Sequence, residues 1–380
     1  MIYPNQFHVE LTQQCNLNCL HCFADASVQN MNELSYEEVV EIYKQMKELG
    51  IIYANLSGGE PVLNKDFFKI VKYAAEQPFE TCLLTNGLLW DDVSIEKLCK
   101  LDPNRNLTIQ ISLDGPFEVM TKERLITKMQ YDKIINTIIK LKSYGFSVGC
   151  LIVLNLLTAA TSLDTIKYAI YELNVDAVQA IPLFPTGRAC ENRNILQGFW
   201  KEWSKFVIDV TNIKKTNAWG DKSQRVNIGF FTLYELTEPL DRAGMHDDIY
   251  NVWGLDVSSS EKFHMQTKRH YYCEAGQTEL TISSEKRLYP CVASIRTEFG
   301  GEYIEGKNII DVWENDKNLN WFRSVTKKVI SQEPCNNCEY KDICGGGCRI
   351  AALEFKEDKY APDPRCPKVQ EYFNTNSKFF

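Results

Sequence analysis

No run of apolar residues in this 380-residue chain approaches the roughly 18–20 positions that a membrane-spanning helix needs. The opening Met1-Ile2-Tyr3-Pro4-Asn5-Gln6 has neither the basic start nor the apolar block of a secretion signal. Both absences predict a cytoplasmic chain with no membrane partner. Positive charge is also short. Forty-two Lys and Arg against 50 Asp and Glu leave a net charge of −8, which argues against nucleic acid, whose phosphates favour a basic stripe. Proline numbers only 13, and no internal repeat or low-complexity tract is present. A chain of this length that is 44% hydrophobic and 24% charged can bury a substantial core, and more than one domain is expected.

Cysteine is abundant instead. Disulfides are rare in a reducing compartment, so clustered cysteines there read as metal-binding or redox groups. The fourteen cysteines fall unevenly. Cys15, Cys19 and Cys22 share one short loop, and seven lie between 273 and 366. Cys82, Cys99, Cys150 and Cys190 stand alone; the first three read as core or helix residues.

Strand-like and helix-like stretches alternate through the first half. Strands are expected at 6–12, 53–56, 81–85, 107–113, 147–154 and 176–183, with helices at 35–49, 66–77, 91–101, 131–144 and 162–173. Ser35-Tyr36-Glu37-Glu38 reads as a capping box that starts the first helix. This alternation predicts an α/β fold: a parallel sheet with helical crossovers, curled into a partial (β/α)6 TIM-like barrel with chemistry at the C-terminal strand ends. The cysteine loop, Gly58-Gly59-Glu60, Thr85-Asn86-Gly87 and Ser112-Leu113-Asp114 all fall at or just past strand ends. Beyond residue 190 the pattern changes. A helix is expected over 197–213, residues 214–270 read as irregular, and the cysteine-rich remainder needs metal to organise it. The expected division is 1–190 for the barrel, 191–270 for a connecting region and 271–380 for a cluster-binding domain.

Cys15-x3-Cys19-x2-Cys22 offers three thiolates. Four irons held by three protein ligands leave one iron open to chelate a small molecule. Zinc, which prefers four protein ligands in structural sites, is the competing reading. Cys15-Asn16-Leu17-Asn18-Cys19-Leu20-His21-Cys22 resembles the CxxxCxxC loop of the radical S-adenosylmethionine (SAM) superfamily, placed after the first strand as in that family. The resemblance implies a [4Fe-4S] cluster whose open iron binds SAM, reductive cleavage to methionine and a 5′-deoxyadenosyl radical, and hydrogen abstraction from substrate. By the same resemblance His21 marks a backbone approach to adenine. Ser57-Gly58-Gly59-Glu60-Pro61 matches the motif that receives the SAM ammonium group. Ser112 and Asp114 match the fourth-strand contacts, and Asn155 stands at a ribose-contact position.

Cys335-x2-Cys338-x5-Cys344-x3-Cys348, closed by Cys366 and preceded by Cys273 and Cys291, resembles the SPASM domain, a C-terminal extension that carries auxiliary Fe–S clusters. That resemblance implies one four-iron cluster on Cys335, Cys338, Cys344 and Cys366, and a second on Cys273, Cys291 and Cys348, making three [4Fe-4S] clusters in all. Lys286 stands where that family usually has glycine. No fourth cysteine lies near the three-cysteine group in sequence, and Cys190 is the remaining candidate.

SPASM enzymes mostly act on peptides and proteins. The preferred reading is oxidative modification of a ribosomally made peptide, a thioether or carbon–carbon crosslink, because a three-cysteine auxiliary site leaves room for a substrate ligand. Expected partners are the peptide or protein substrate and a flavodoxin- or ferredoxin-type electron donor; Cys15 arrives too early for a fused leader-binding domain, so leader recognition is direct, supplied by a separate leader-binding protein, or unnecessary. Alternatives are a formylglycine-forming sulfatase maturase, an enzyme of porphyrin or peptide-derived cofactor synthesis, and a multi-cluster electron carrier. The maturase needs a carboxylate base near Cys291, and Val292-Ala293-Ser294 supply none. The carrier has no need of the Gly58–Pro61, Ser112 and Asp114 constellation. Catalytic acid and base residues are not marked by any spacing.

Overall fold

A computed structural model of the chain describes residues 3–184 and 186–373. Met1, Ile2, Pro185 and residues 374–380, which the N-terminal reading and the domain limits touch, lie outside them. Six strands pair side by side in chain order, all parallel: β1 (Gln6–Glu10), β2 (Tyr53–Ser57), β3 (Glu80–Thr85), β4 (Leu107–Ser112), β5 (Ser147–Leu154) and β6 (Ala177–Pro182). The crossovers are helical: α1 (Tyr36–Glu48), α2 (Phe67–Ala75), α3 (Asp92–Leu101), α4 (Phe117–Glu123), α5 (Lys128–Ser143) and α6 (Ser162–Tyr171). Parallel strands need such crossovers, and the expected elements are all present to within a few residues. Among these crossovers, the one helix the periodicity did not disclose is α4. Seven residues give too few turns to show an apolar stripe.

Local chemistry explains where the helices begin. Ser35 Oγ accepts the Glu38 amide at 3.3 Å, and Glu38 Oε2 accepts the Ser35 amide at 2.8 Å, the expected capping box. Thr127 and Gln130 start α5 the same way. One sheet face then packs on the helices: Phe7 is fully buried and meets Tyr43 of α1 edge-on, ring centroids 5.2 Å apart. Truncating either to Ala would cost about 3–5 kcal/mol.

The opposite face behaves differently. Along β1, β4 and β6 buried residues alternate with half-exposed ones, and apart from Ala177 the half-exposed side chains are polar: Gln6 and His8, Gln110 and Ser112, Gln179. The inner surface of the sheet thus carries hydrogen-bonding groups, with the carboxylates of Glu10 on β1 and of Glu279, 3.6 Å from His8, among them.

The sheet runs beyond six strands. β7 (Val226–Ile228) adds to β6, and β8 (Glu279–Ile282) adds to the far side of β1, both parallel; β9 (Leu288–Tyr289) returns antiparallel to β8. The order is β7-β6-β5-β4-β3-β2-β1-β8-β9. Strands of two to four residues leave no periodicity to read, so the stretch expected to be irregular contains β7 and several helices, among them Tyr234–Arg242. Lys286 keeps the tight β8–β9 turn with φ +62°, a backbone that favours glycine, and its ammonium sits 2.6 Å from Glu38. Among the described residues no helix is long and apolar enough to cross a membrane.

Candidate functional site

The cysteine loop leaves the end of β1 and is held by backbone on its first side. The Gly59 amide donates to Thr12 O at 2.8 Å, and the Glu60 amide donates to Gln14 O at 2.8 Å. A Cβ on Gly58 would stand 2.5 Å from Thr12 O, and one on Gly59 would stand 2.7 Å from the Gln14 carbonyl carbon. The glycine pair is therefore required by the close approach of two backbone segments, whatever ligand lies beyond. Glu60 is fully buried. Its carboxylate accepts the Thr85 hydroxyl at 2.7 Å and the Asn86 amide at 2.8 Å, tying the β3 turn to the same cradle. Burial pushes its carboxyl up to about 7 despite those donors. Ser57 donates to Val9 O at 3.4 Å, and Pro61 opens a short 3-10 turn.

On the second side stand α4 and the end of β4. Leu20 donates its amide to Glu123 O at 2.9 Å. His21 Nδ1 lies 3.0 Å from the Glu123 carboxylate, and Asn155 donates its amide to the same carboxylate. Asn155 is fully buried and also caps its own loop by accepting the Leu157 amide at 2.9 Å. Asp114 is paired with Arg124 and accepts the Val153 amide at 2.8 Å, while Ser112 remains half-exposed on the inner face. Burial would raise Asp114, but the Arg124 and His21 charges outweigh it and hold the carboxyl below its ordinary value. Burial raises the Glu123 carboxyl against the pull of His21. Arg124 also reaches the Cys19 sulfur at 3.9 Å. Sequence reasoning missed Glu123 and Arg124. Their only signal was a charged pair shortly past the β4 motif.

Cys15 and Cys19 are buried and Cys22 half-buried, and all fourteen cysteines are free thiols. Burial pushes the Cys15 and Cys19 thiols up, to about 11 and about 12, so a cation must displace their protons before they ligate. Cys335, Cys338, Cys344 and Cys366 line a single cavity. Cys273, Cys291 and Cys348 meet separately around Phe299, Phe322 and Ile350. Cys190 lies beside the half-buried carboxyl of Glu354. Glu279 is the carboxylate beside Cys291, accepting the Val292 amide at 3.3 Å, and burial pushes it up to about 8.

Among the described residues, the only three His, Cys, Asp or Glu ligand atoms mutually within 4.8 Å belong to His21, Asp114 and Glu123. Three thiolates about 2.3 Å from one tetrahedral zinc would lie only about 3.8 Å apart. No cysteine trio is drawn up that tightly, whereas a cluster spreads its ligands over several irons. Three converging thiols, a guanidinium beside one of them and an amide donating to Cys15 Sγ at 3.4 Å fit an anionic iron–sulfur group.

Residues 9–168 match the radical SAM superfamily. The chain carries a radical SAM domain over these residues, a domain that implies a [4Fe-4S] cluster and SAM, and its homology to radical SAM maturases indicates an enzyme. It is 25% identical over 362 residues to the mycofactocin maturase MftC of Mycolicibacterium smegmatis, covering 94% of this chain and 81% of that one. The fold is shared with SuiB of Streptococcus suis bound to its precursor peptide SuiA (TM-score 0.73, 18% identity, 97% of this chain and 76% of that one). It is shared too with anSMEcpe bound to AdoMet and the Kp18Cys peptide (TM-score 0.69, 19% identity, 98% and 96%).

Proposed function

We propose that this enzyme cleaves SAM reductively and oxidises a ribosomally made peptide, forming a thioether or carbon–carbon crosslink. The convergence of Cys15, Cys19 and Cys22 with Glu60, Asp114 and Arg124 at the C-terminal ends of parallel strands carries this reading. Bound by the three cysteines, a [4Fe-4S] cluster supplies the electron that splits SAM into methionine and a 5′-deoxyadenosyl radical. His21, the Ser57–Pro61 stretch, Ser112, Asp114 and Asn155 are assigned to orient SAM. The half-exposed amides of Gln110 and Gln179, 3.2 Å apart, suit a peptide backbone, which needs both donors and acceptors.

Two auxiliary clusters are assigned, one to Cys335, Cys338, Cys344 and Cys366 and one to Cys273, Cys291 and Cys348, in a SPASM-type region over 271–380. The barrel occupies 1–190, with 191–270 connecting them. The three-cysteine group lacks a neighbouring fourth thiol among the described residues, which favours an iron open to a substrate thiolate. MftC is named a maturase, and SuiB was captured with a precursor peptide. A flavodoxin- or ferredoxin-type donor would supply electrons, and a separate small protein would present the leader. Fourteen free thiols suit the reducing cytoplasm.

One observation favours the second reading, a formylglycine-forming maturase. Glu279 supplies in space the carboxylate beside Cys291 that the following residues lack in sequence. The test common to both is anaerobic reconstitution with SAM and dithionite. 5′-Deoxyadenosine is expected from the wild type and none from Cys15→Ala, Cys19→Ala or Cys22→Ala, with auxiliary-cluster absorbance kept. A two-hydrogen mass loss in a neighbouring gene's peptide supports crosslinking; conversion of a sulfatase Cys or Ser selects the alternative. No 5′-deoxyadenosine from a protein with intact clusters would refute both.

A further inference from the structure

We infer that Arg188, in the segment after β6, positions the cysteine loop and biases the first cluster towards its reduced state. The inference rests on Cys15, Cys19 and Cys22 being the ligands of that cluster.

Arg188 is only 9% exposed, and while its carbonyl accepts from Asn192 in its own helical turn, its backbone amide and its guanidinium reach across to the cysteine loop. Its backbone amide donates to Cys22 O at 3.0 Å. Nε donates to Cys19 O at 2.9 Å, and Nη1 donates to Ala26 O at 3.0 Å and to the Asp25 carboxylate at 2.7 Å. One residue thus spans the loop from its second cysteine to its exit. Gly187, at φ +62°, permits the approach: a Cβ there would stand 2.6 Å from Cys22 O. Asn192 adds a bond to Leu20 O at 3.2 Å. A planar fork makes this grip, which a single ammonium cannot reproduce.

The charge matters as well as the geometry. A second arginine, Arg296, reaches Ala24 O at 3.2 Å, but the buried Glu10 carboxylate lies 2.7 Å from its guanidinium. Arg188 pairs only with Asp25, whose side chain is 62% exposed and therefore screened by water. A permanent cation so placed lowers the energy of the cluster state carrying one more negative charge. Net charge and hydrogen bonding are among the levers that set such potentials. Arg188 is a positioning residue; it touches backbone and Asp25, not reacting atoms.

The test is a redox titration of the anaerobically reconstituted full-length chain. It follows the electron paramagnetic resonance signal that changes when SAM is added, which isolates the first cluster from the others. Arg188→Gln should shift the reduced-to-oxidised ratio at fixed potential about tenfold towards oxidised, a midpoint drop of ~59 mV for a one-electron couple. Arg188→Lys, which keeps the charge, should stay near the wild-type midpoint but lose iron faster to a chelator. Asp25→Asn should move the midpoint the opposite way by a smaller step, because water screens that carboxylate. A wild-type midpoint in the Gln variant, or an equal drop in Gln and Lys variants, would overturn the electrostatic role. If the Gln variant takes up no cluster, an unmoved midpoint in Asp25→Asn overturns it. A wild-type chain showing no SAM-responsive signal would instead defeat the assignment of Cys15, Cys19 and Cys22.

Discussion

Glu279 Oε1 accepts the Val292 amide at 3.3 Å, which sets a buried carboxylate beside Cys291 although the two residues are well separated in the chain. Glu279 faces the inner side of the sheet, 3.6 Å from His8 Nε2, and none of its bonds reaches the cysteine loop. Glu279→Gln should therefore leave 5′-deoxyadenosine formation within about twofold of wild type while lowering substrate oxidation at least about tenfold, which corresponds to ~1.4 kcal/mol in the barrier. Quantifying both products in one assay checks this. Equal loss of the two would place Glu279 in SAM binding instead.

The Arg124–Asp114 pair is buried on both sides, so breaking it strands a charge. Arg124→Met should cost about 3–5 kcal/mol. Adding Asp114→Asn removes the stranded charge and should recover more than half of that. Anaerobic urea melts of the two single variants and the double variant measure the cycle; simple additivity would show that the two side chains do not depend on each other.

Gly59 and Gly50 make a controlled pair. Gly50 has φ +75° and no atom within 4 Å of the place an added methyl group would take, so Gly50→Ala should cost only the left-handed strain, about 1–2 kcal/mol. Gly59→Ala meets Gln14 backbone and Ala26 Cβ and endangers the bond to Thr12 O, so about 3 kcal/mol or more is expected. It should also lower iron uptake by the adjacent loop. Thermal melts with iron counts separate the two variants.

Glu235 gives a pH signature away from the SAM motifs. It is fully buried, and burial pushes its carboxyl up to about 7 although it accepts the Phe231 and Thr232 amides and lies 3.7 Å from Arg365. The unfolded chain loses that proton near the ordinary value of 4.5. Between 4.5 and about 7 the native state binds the extra proton. Stability therefore falls as pH rises through that window, by on the order of 3 kcal/mol, and levels off above it. Glu235→Gln should flatten the curve. Melting temperatures at about pH 5, 6, 7 and 8, which bracket the window, test it; an unchanged slope would locate the titration elsewhere.

Much of the barrel was legible because parallel strands and amphipathic helices repeat with different periods. Capping residues such as Ser35 and Glu38 mark their own boundaries. The short elements were not legible: β7, β8, β9 and α4 are too brief for any period, and β7 and β8 pair with strands far from them in sequence. Lys286 shows the intermediate case. It stands where glycine is usual, yet φ +62° shows the glycine-type backbone kept, with Lys286 paired to Glu38 and Glu305.

Cysteine spacing alone puts Cys15, Cys19 and Cys22 in one loop of eight residues, and that the loop folds back so that the three thiols converge is decided by its backbone bonds. Tertiary structure alone decided what surrounds them. Arg124 beside Cys19 and Arg188 across the loop carbonyls come from remote segments that meet only when the sheet has formed, whereas Glu279 reaches Cys291 across the short β8–β9 hairpin. Local sequence gathers thiols into a loop; the charged side chains beside them arrive only when distant strands close around it.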